Sequence, residues 1–578
     1  MSGVETVEEK KTEQVVEINE KTAEPTTPTR IKKILTTYEN FKVNNEVLIS
    51  RSYVILLNAV VVGYFAWATS FFIKTKNHCE SNGCDVEFGG MQWCDGYGML
   101  ILLLAIIYLS YLYYVLKRFY GKYINETYLQ PLKAKIFARK ITRIVFGVVL
   151  LVAVVTFIVL DTSDARNRLQ SLSGIVTFLI IGYVFSKSPT KVKLRPVALG
   201  FTFQFVLGLF CLRWSVGRSI FKCIGDKVST FLSFTNFGSS FVYGNDLVIE
   251  WGVFAFSALP VIFFFSFVTS ILFYLGAIQW VLKKMGWLIQ STLGVTACES
   301  LVCAANIFVG NAEACLIIKS YIKFLTHSEI HLLMASGFAT VAGSVLAAYI
   351  RFGAEPAHLI ASTVMAAPGA VCFAKLFYPE TEGSQTTAEN IELQKSTDSN
   401  ILDAASNGAG TAISIVMGII ANIVAFVAFV AFLNAIVSWL GSLIGYDFLT
   451  FEWIFAKIFI PVAWIIGIEW NDCEKVAEVI ASKTIINEFV AYERLGVLKG
   501  TGQISLRSSA ITTFAICGFA NPSSLGILIG ALSTMSPESR HKITAVAFRA
   551  FISGSIICFM TASIAGLLIT DADFILGE

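Results

Sequence analysis

The chain has 578 residues, of which 55% are hydrophobic and only 15% charged, with 47 phenylalanines and a mean hydropathy of +0.67. A water-soluble protein of this length could not hide so much apolar surface, so the composition points to a polytopic helical membrane protein that uses the lipid bilayer as solvent. The net charge of +3 does not indicate a polyanion partner: basic residues gather at the ends of apolar runs, as cytoplasmic flanks do, and form no patch for nucleic acid.

Residues 1–50 are rich in Glu, Lys and Thr with little apolar periodicity, which predicts a disordered cytoplasmic N-terminal tail and not a signal peptide. Residues 51–165 hold three apolar runs long enough to span, at about 53–74, 97–116 and 144–162. The basic series from Lys117 to Arg143 separates the last two and marks a cytoplasmic loop. The loop carrying Cys79, Cys84 and Cys94 is then extracellular, where one disulfide with a leftover thiol is expected. The sequon Asn125-Glu-Thr127 becomes cytoplasmic and unglycosylated. The other nine cysteines lie in apolar or juxtamembrane stretches and read as small buried side chains.

Residues 166–250 predict two short spans, about 171–186 and 195–212, followed by an amphipathic helix over 214–235 lying in the interface. Beyond about 252 the apolar segments change character, because Gly, Asn, Ser and Glu interrupt their middles. A first block, 251–378, contains a span at 252–276, an amphipathic stretch over 277–290, a segment over 291–325 broken at its centre, then spans near 331–351 and 357–378. A polar cytoplasmic loop, 379–405, leads to a second block, 406–570, with a span at 411–437, a broken segment at 470–503, and spans at 507–530 and 545–570. Residues 452–468 are assigned as non-spanning, and an extracellular tail, 571–578, completes a topology of about eleven spans.

The two blocks share a grammar. Glu313 precedes Ser344 by 31 residues, and Glu488 precedes Asn521 by 33; each carboxylate follows an amide, Asn311 or Asn487. Such groups are costly in hydrocarbon unless protein, ion or substrate replaces their lost water. Paired interrupted segments point to an inverted-topology repeat with two re-entrant hairpins and a binding site at the midplane. Asn306 and Asn521 suit capping of broken helices as well as binding, Ser344 and Ser524 suit close helix packing, and Glu299 and Arg549 read as charges satisfied within the bundle. The five histidines are dispersed, and the sequence holds no CxxC, HExxH or P-loop, so neither enzyme chemistry nor an organic cofactor is expected.

Four motifs now stand in order: Asn306-Ile-Phe-Val-Gly310 followed by Glu313, Ala342-Gly343-Ser344, Asn487-Glu-Phe-Val-Ala-Tyr492, and Cys517-Gly-Phe-Ala-Asn521. With them the chain resembles the concentrative nucleoside transporter family, animal type, over about residues 170–570. The resemblance implies a sodium-coupled symporter of the plasma membrane that moves nucleosides inward by alternating access, as a homotrimer with a transport domain built from two hairpins. It implies sodium ligands at Asn306, Val309, Val341 and Ser344, base contacts from Asn311, Ala312 and Glu313, and ribose contacts from Glu488, Asn521 and Ser524 beside Phe519. Here Asn311-Ala312 replaces the usual Gln-Thr, and Pro522 replaces an aliphatic residue. Together with Gly310, the smaller pair implies broad or purine-leaning selectivity. A nucleoside-sensing receptor, or a carrier of another small polar solute, is the competing expectation.

Overall fold

The structure, a computed structural model, describes residues 46–82, 91–124, 154, 156–163, 165–386, 396 and 398–570, and the regular elements among the described residues are all helices, without a strand. Two compact units result, residues 1–148 and 149–578. In the first, α1 (Glu46–Asn82) and α2 (Tyr97–Ile124) pair through Tyr108, whose hydroxyl donates to Asn58 Oδ1 at 2.9 Å, and through Tyr97 stacked on Phe72.

The second unit opens with α3 (Gln170–Val184), α4 (Leu194–Gly208), the amphipathic α5 (Ser215–Ser233), α6 (Thr235–Tyr243) and α7 (Phe254–Ser257). The next five elements form the first repeat: α8 (Val261–Tyr274), α9 (Ala277–Leu293), a hairpin of α10 (Ala297–Ala305) and α11 (Asn311–Leu316), a broken helix of α12 (His327–Ala339) and α13 (Leu346–Arg351), and α14 (Pro356–Phe377). The second repeat has the same order: α15 (Ile401–Ser442), α16 (Phe451–Ile465), a hairpin of α17 (Trp470–Ile485) and α18 (Glu488–Gly500), a broken helix of α19 (Leu506–Ile516) and α20 (Pro522–Met535), and α21 (Arg540–Leu568).

Packing repeats as the order does. The helix before each hairpin packs on its first arm, α9 on α10 and α16 on α17; each broken helix packs on its closing span, α12 on α14 and α19 on α21. Second arms cross over, α11 to α20 and α18 to α13. The core runs through α12, α14 and α21, whose side chains are mostly buried. Close approach there depends on small residues: a Cβ on Gly554 would stand 2.3 Å from Phe338 Cβ.

Eight helices among the described residues are long and apolar enough to cross a membrane. Of the other three expected spans, 144–162 lies mostly outside the described residues, 171–186 is the 15-residue α3, and 507–530 is divided by a break at 517–521. Phe451–Ile465, at about 1.5 Å per residue, is roughly 22 Å long and shorter than a ~30 Å hydrocarbon core. The polar loop ends earlier than the sequence suggests. Asn400 caps α15 by accepting the Asp403 N–H at 2.9 Å, so helix begins at Ile401.

Cysteine chemistry differs at one position. Cys94 is disulfide-bonded, and so is Cys223 on the amphipathic α5, a position that the sequence reads as a small buried thiol. The side chains of Cys79 and Cys84 lie outside the described residues. Glu299 and Arg549 do find partners in the bundle, though not each other: Glu299 pairs with Lys375 at 2.5 Å, and Arg549 donates to the Phe185 carbonyl at 3.0 Å.

Candidate functional site

The first hairpin breaks because residues 306–310 leave the helix between two capped pieces. Thr296 caps α10, and Glu313 reaches back to accept the Gly310 N–H at 3.1 Å, fixing the start of α11. The opened backbone runs beside the break after α12. Gly343 donates to the Phe308 carbonyl at 3.2 Å, and Gly337 leaves room for Asn311, whose Cβ would stand 2.6 Å from an added Cβ.

Oxygen atoms are left over at this junction. Asn306 is fully buried; its Nδ2 donates to Ser336 Oγ at 2.7 Å, while its Oδ1 has no hydrogen-bond partner. The carbonyls of Val309 and Val341 receive no backbone N–H among the described residues, and Ser344 lies one turn further along the same break. An amide oxygen, two peptide oxygens and a hydroxyl suit a hard monovalent cation, which orphaned buried acceptors favour over an apolar filling. These are the four positions that the family resemblance implies as sodium ligands.

Beside them lies a cavity of about 190 Å³, lined from both repeats. The first contributes Gly310, Asn311, Ala312, Glu313 and Ser344; the second contributes Asn487, Glu488, Phe519, Asn521 and Ser524. Every predicted substrate contact reaches this space. Of the predicted ion ligands only Ser344 does; Val309 lines a neighbouring cavity, and Asn306 and Val341 are buried.

The second repeat positions its residues through caps. Asn487 accepts the Val490 N–H at 3.1 Å and starts α18, which places Glu488 at the first helical position. Asn521 accepts the Ser524 N–H at 2.8 Å and donates its Nδ2 to Glu488 Oε2 at 2.6 Å. One amide therefore caps a helix and orients a carboxylate. Pro522 occupies the first position of α20, where its fixed φ suits the helix and its missing N–H costs nothing. Behind Glu488, Tyr349 stacks on Tyr492 with centroids 4.3 Å apart, and Tyr492 donates to the Thr513 carbonyl at 3.0 Å.

Asn311 spends its Oδ1 on the Ala312 N–H at 2.7 Å, which leaves Nδ2 as the group it can offer a ligand. Glu313 spends Oε2 on Gly310 and keeps Oε1 as an acceptor. The cavity thus presents a donor and an acceptor on one side and a carboxylate with a hydroxyl on the other. Sequence reasoning missed the wall supplied by α15: Ile415, Ile419, Asn422 and Ile423. Asn422, one of two amides inside the 411–437 span with Asn434, was the available signal. A second cavity of about 460 Å³ shares Glu313 and Ile415 with the first and continues past Thr269, Asn407 and Asp398.

Three comparisons bear on this arrangement. Models described as Na+ dependent nucleoside transporter N-terminus, Nucleoside recognition, and Na+ dependent nucleoside transporter C-terminus match residues 173–246, 255–356 and 358–566. Solute carrier family 28 member 3 of Eptatretus stoutii is 40% identical over 92% of this chain and 76% of its own length. Sodium/nucleoside cotransporter 1 of Oryctolagus cuniculus is 44% identical over 81% of this chain and 73% of its own. The solved structure of CNTnw in an inward-facing substrate-bound state is 37% identical and covers 69% of this chain and 97% of that one, with a TM-score of 0.66.

Proposed function

Because the chain belongs to the family of Na+-dependent nucleoside transporters, a multi-pass membrane family of cotransporters rather than enzymes, we propose that it takes nucleosides into the cell by sodium-coupled symport. The observation that carries this reading is the junction of two features: a cavity with a carboxylate from each repeat, and a buried amide oxygen, Asn306 Oδ1, left unclaimed at the break of the first hairpin. Sodium bound by Asn306, Val309, Val341 and Ser344 would hold the two breaks of the first repeat together and so fix Asn311 and Glu313 for the base.

The ribose hydroxyls donate to Glu488, and Asn521 and Ser524 complete their hydrogen bonds. A sugar lacking those hydroxyls leaves the carboxylate unpaired, and discrimination follows from that penalty. At the other end Asn311 donates to a base acceptor while Glu313 accepts from a base N–H. Short Asn311 and Ala312, with Gly310 beside them, leave space for a larger base, which supports broad or purine-leaning selectivity. The second cavity, continuous with Glu313, supports a route toward the loop expected to be cytoplasmic, with the hairpins moving as re-entrant parts of inverted repeats in a homotrimer at the plasma membrane.

The deciding experiment is uptake of labelled adenosine and uridine in expressing cells, with sodium present or replaced by choline. Saturable uptake that collapses in choline is the expected result, with inosine and guanosine competing at least as well as thymidine. Binding without accumulation would make the protein a receptor, and uptake confined to pyrimidine nucleosides would overturn the selectivity.

A further inference from the structure

Lys483 is a charge near Glu488 that the symport reading does not use. It sits in the last turn of α17, is fully buried, and its Nζ has no hydrogen-bond partner among the described residues. An ammonium without water or partner is expensive, and the C-terminal end of a helix offsets only a small part of that cost. The titratable groups that face it are Glu488, five residues on across the hairpin break, and the thiols of Cys517 at the end of α19 and Cys558 on α21. Glu488 is the only carboxylate among them. Its Oε2 is held by Asn521, and no ion pair joins it to Lys483 in this arrangement. Lys483 does not line the cavity, so it does not touch the nucleoside.

A symporter must return empty after releasing its cargo. With the ribose gone, Glu488 is an ionised acceptor in an apolar enclosure, and leaving it so would hold the carrier back. We propose that Lys483 is a positioning residue that pairs with Glu488 in the empty carrier, taking over from the ribose hydroxyls, and that the break at residues 486–487 is the joint about which the carboxylate exchanges one partner for the other. The inference rests on the reading of Glu488 as the ribose acceptor. It explains why a lysine is kept buried yet unpaired here: its partner is committed elsewhere while the site is formed for substrate.

The test separates return of the empty carrier from exchange of loaded ones. Uptake into nucleoside-free cells requires the empty return, whereas uptake into cells preloaded with unlabelled nucleoside does not. For Lys483→Met, normalised to surface protein, net uptake should fall at least about tenfold while exchange stays within about twofold of wild type. Lys483→Arg, which keeps the charge, should restore net uptake relative to Lys483→Met. Equal losses of net uptake and exchange, or undiminished net uptake, would overturn the proposal. If Lys483→Met does not reach the surface, the double variant Lys483→Met with Glu488→Gln decides: recovered surface expression marks the pair, and continued absence assigns Lys483 a packing role and overturns it. Failure of the symport reading looks different, since wild type itself would then show no sodium-driven uptake.

Discussion

Glu488 illustrates how much a single residue does through its placement. The Asn487 cap puts it at the head of α18, and Asn521 fixes one of its oxygens. A glutamine in its place keeps shape and loses the charge-assisted bonds, a change of about 1.5–3 kcal/mol or at least roughly tenfold in affinity. Glu488→Gln should therefore cut uptake at least that far with surface protein unchanged, measured by surface biotinylation beside uptake. Asn306 is proposed to act on the ion instead. Asn306→Ala deletes the unpartnered Oδ1 and should raise the sodium concentration for half-maximal uptake about tenfold, the equivalent of ~1.4 kcal/mol. Nucleoside KM at saturating sodium should move much less, and sodium titration of initial rates checks both.

At the scale of elements, the breaks work because intact helices hold them. α12 and α21 meet where Gly554 admits the Phe338 side chain, and an added Cβ would overlap it at 2.3 Å. Overpacking of this kind costs about 1–3 kcal/mol, so Gly554→Ala should lower the thermal midpoint of the purified protein and reduce its surface level. Gly530 on α20 has nothing within 4 Å of its added Cβ, and Gly530→Ala should leave both unchanged. Thermal unfolding of the two variants side by side gives the comparison. The elements were legible to different degrees. Asn487 and Asn521 announced helix starts through local cap chemistry, whereas α15, 42 residues and about 63 Å at 1.5 Å per residue, hid its first turn in what hydropathy marked as a polar loop. Hydropathy averages over a window; a cap acts through one side chain.

For the whole molecule, the relation between the two units yields a further expectation. The matched family models begin at residue 173, and the solved relative covers 69% of this chain while being itself 97% covered. Residues 149–578 form a compact unit by contact. A chain beginning at residue 149 should therefore retain sodium-dependent nucleoside uptake per molecule at the surface, measured against the full chain. Loss of sodium dependence in the shortened chain would place part of the coupling in residues 1–148. Within the second unit the doubled packing order explains why the site draws on both repeats: each second hairpin arm crosses to the opposite broken helix, so the cavity closes only when both repeats are folded.

The sequence by itself determined the membrane class, the doubled order of interrupted segments, and the residues at the breaks, because hydrocarbon makes every internal amide and carboxylate conspicuous. Pro522 is an instance of what needed the fold: its role as the first residue of α20 follows from cap geometry that no composition reveals. Only tertiary structure decided that Asn311 commits its Oδ1 to the Ala312 N–H, that α15 supplies a wall of the cavity, and that Lys483 stands buried without a hydrogen-bond partner near Glu488. Those facts depend on which groups meet across long stretches of chain, and hydrogen bonds already spent on a neighbour cannot be counted until the neighbour is known.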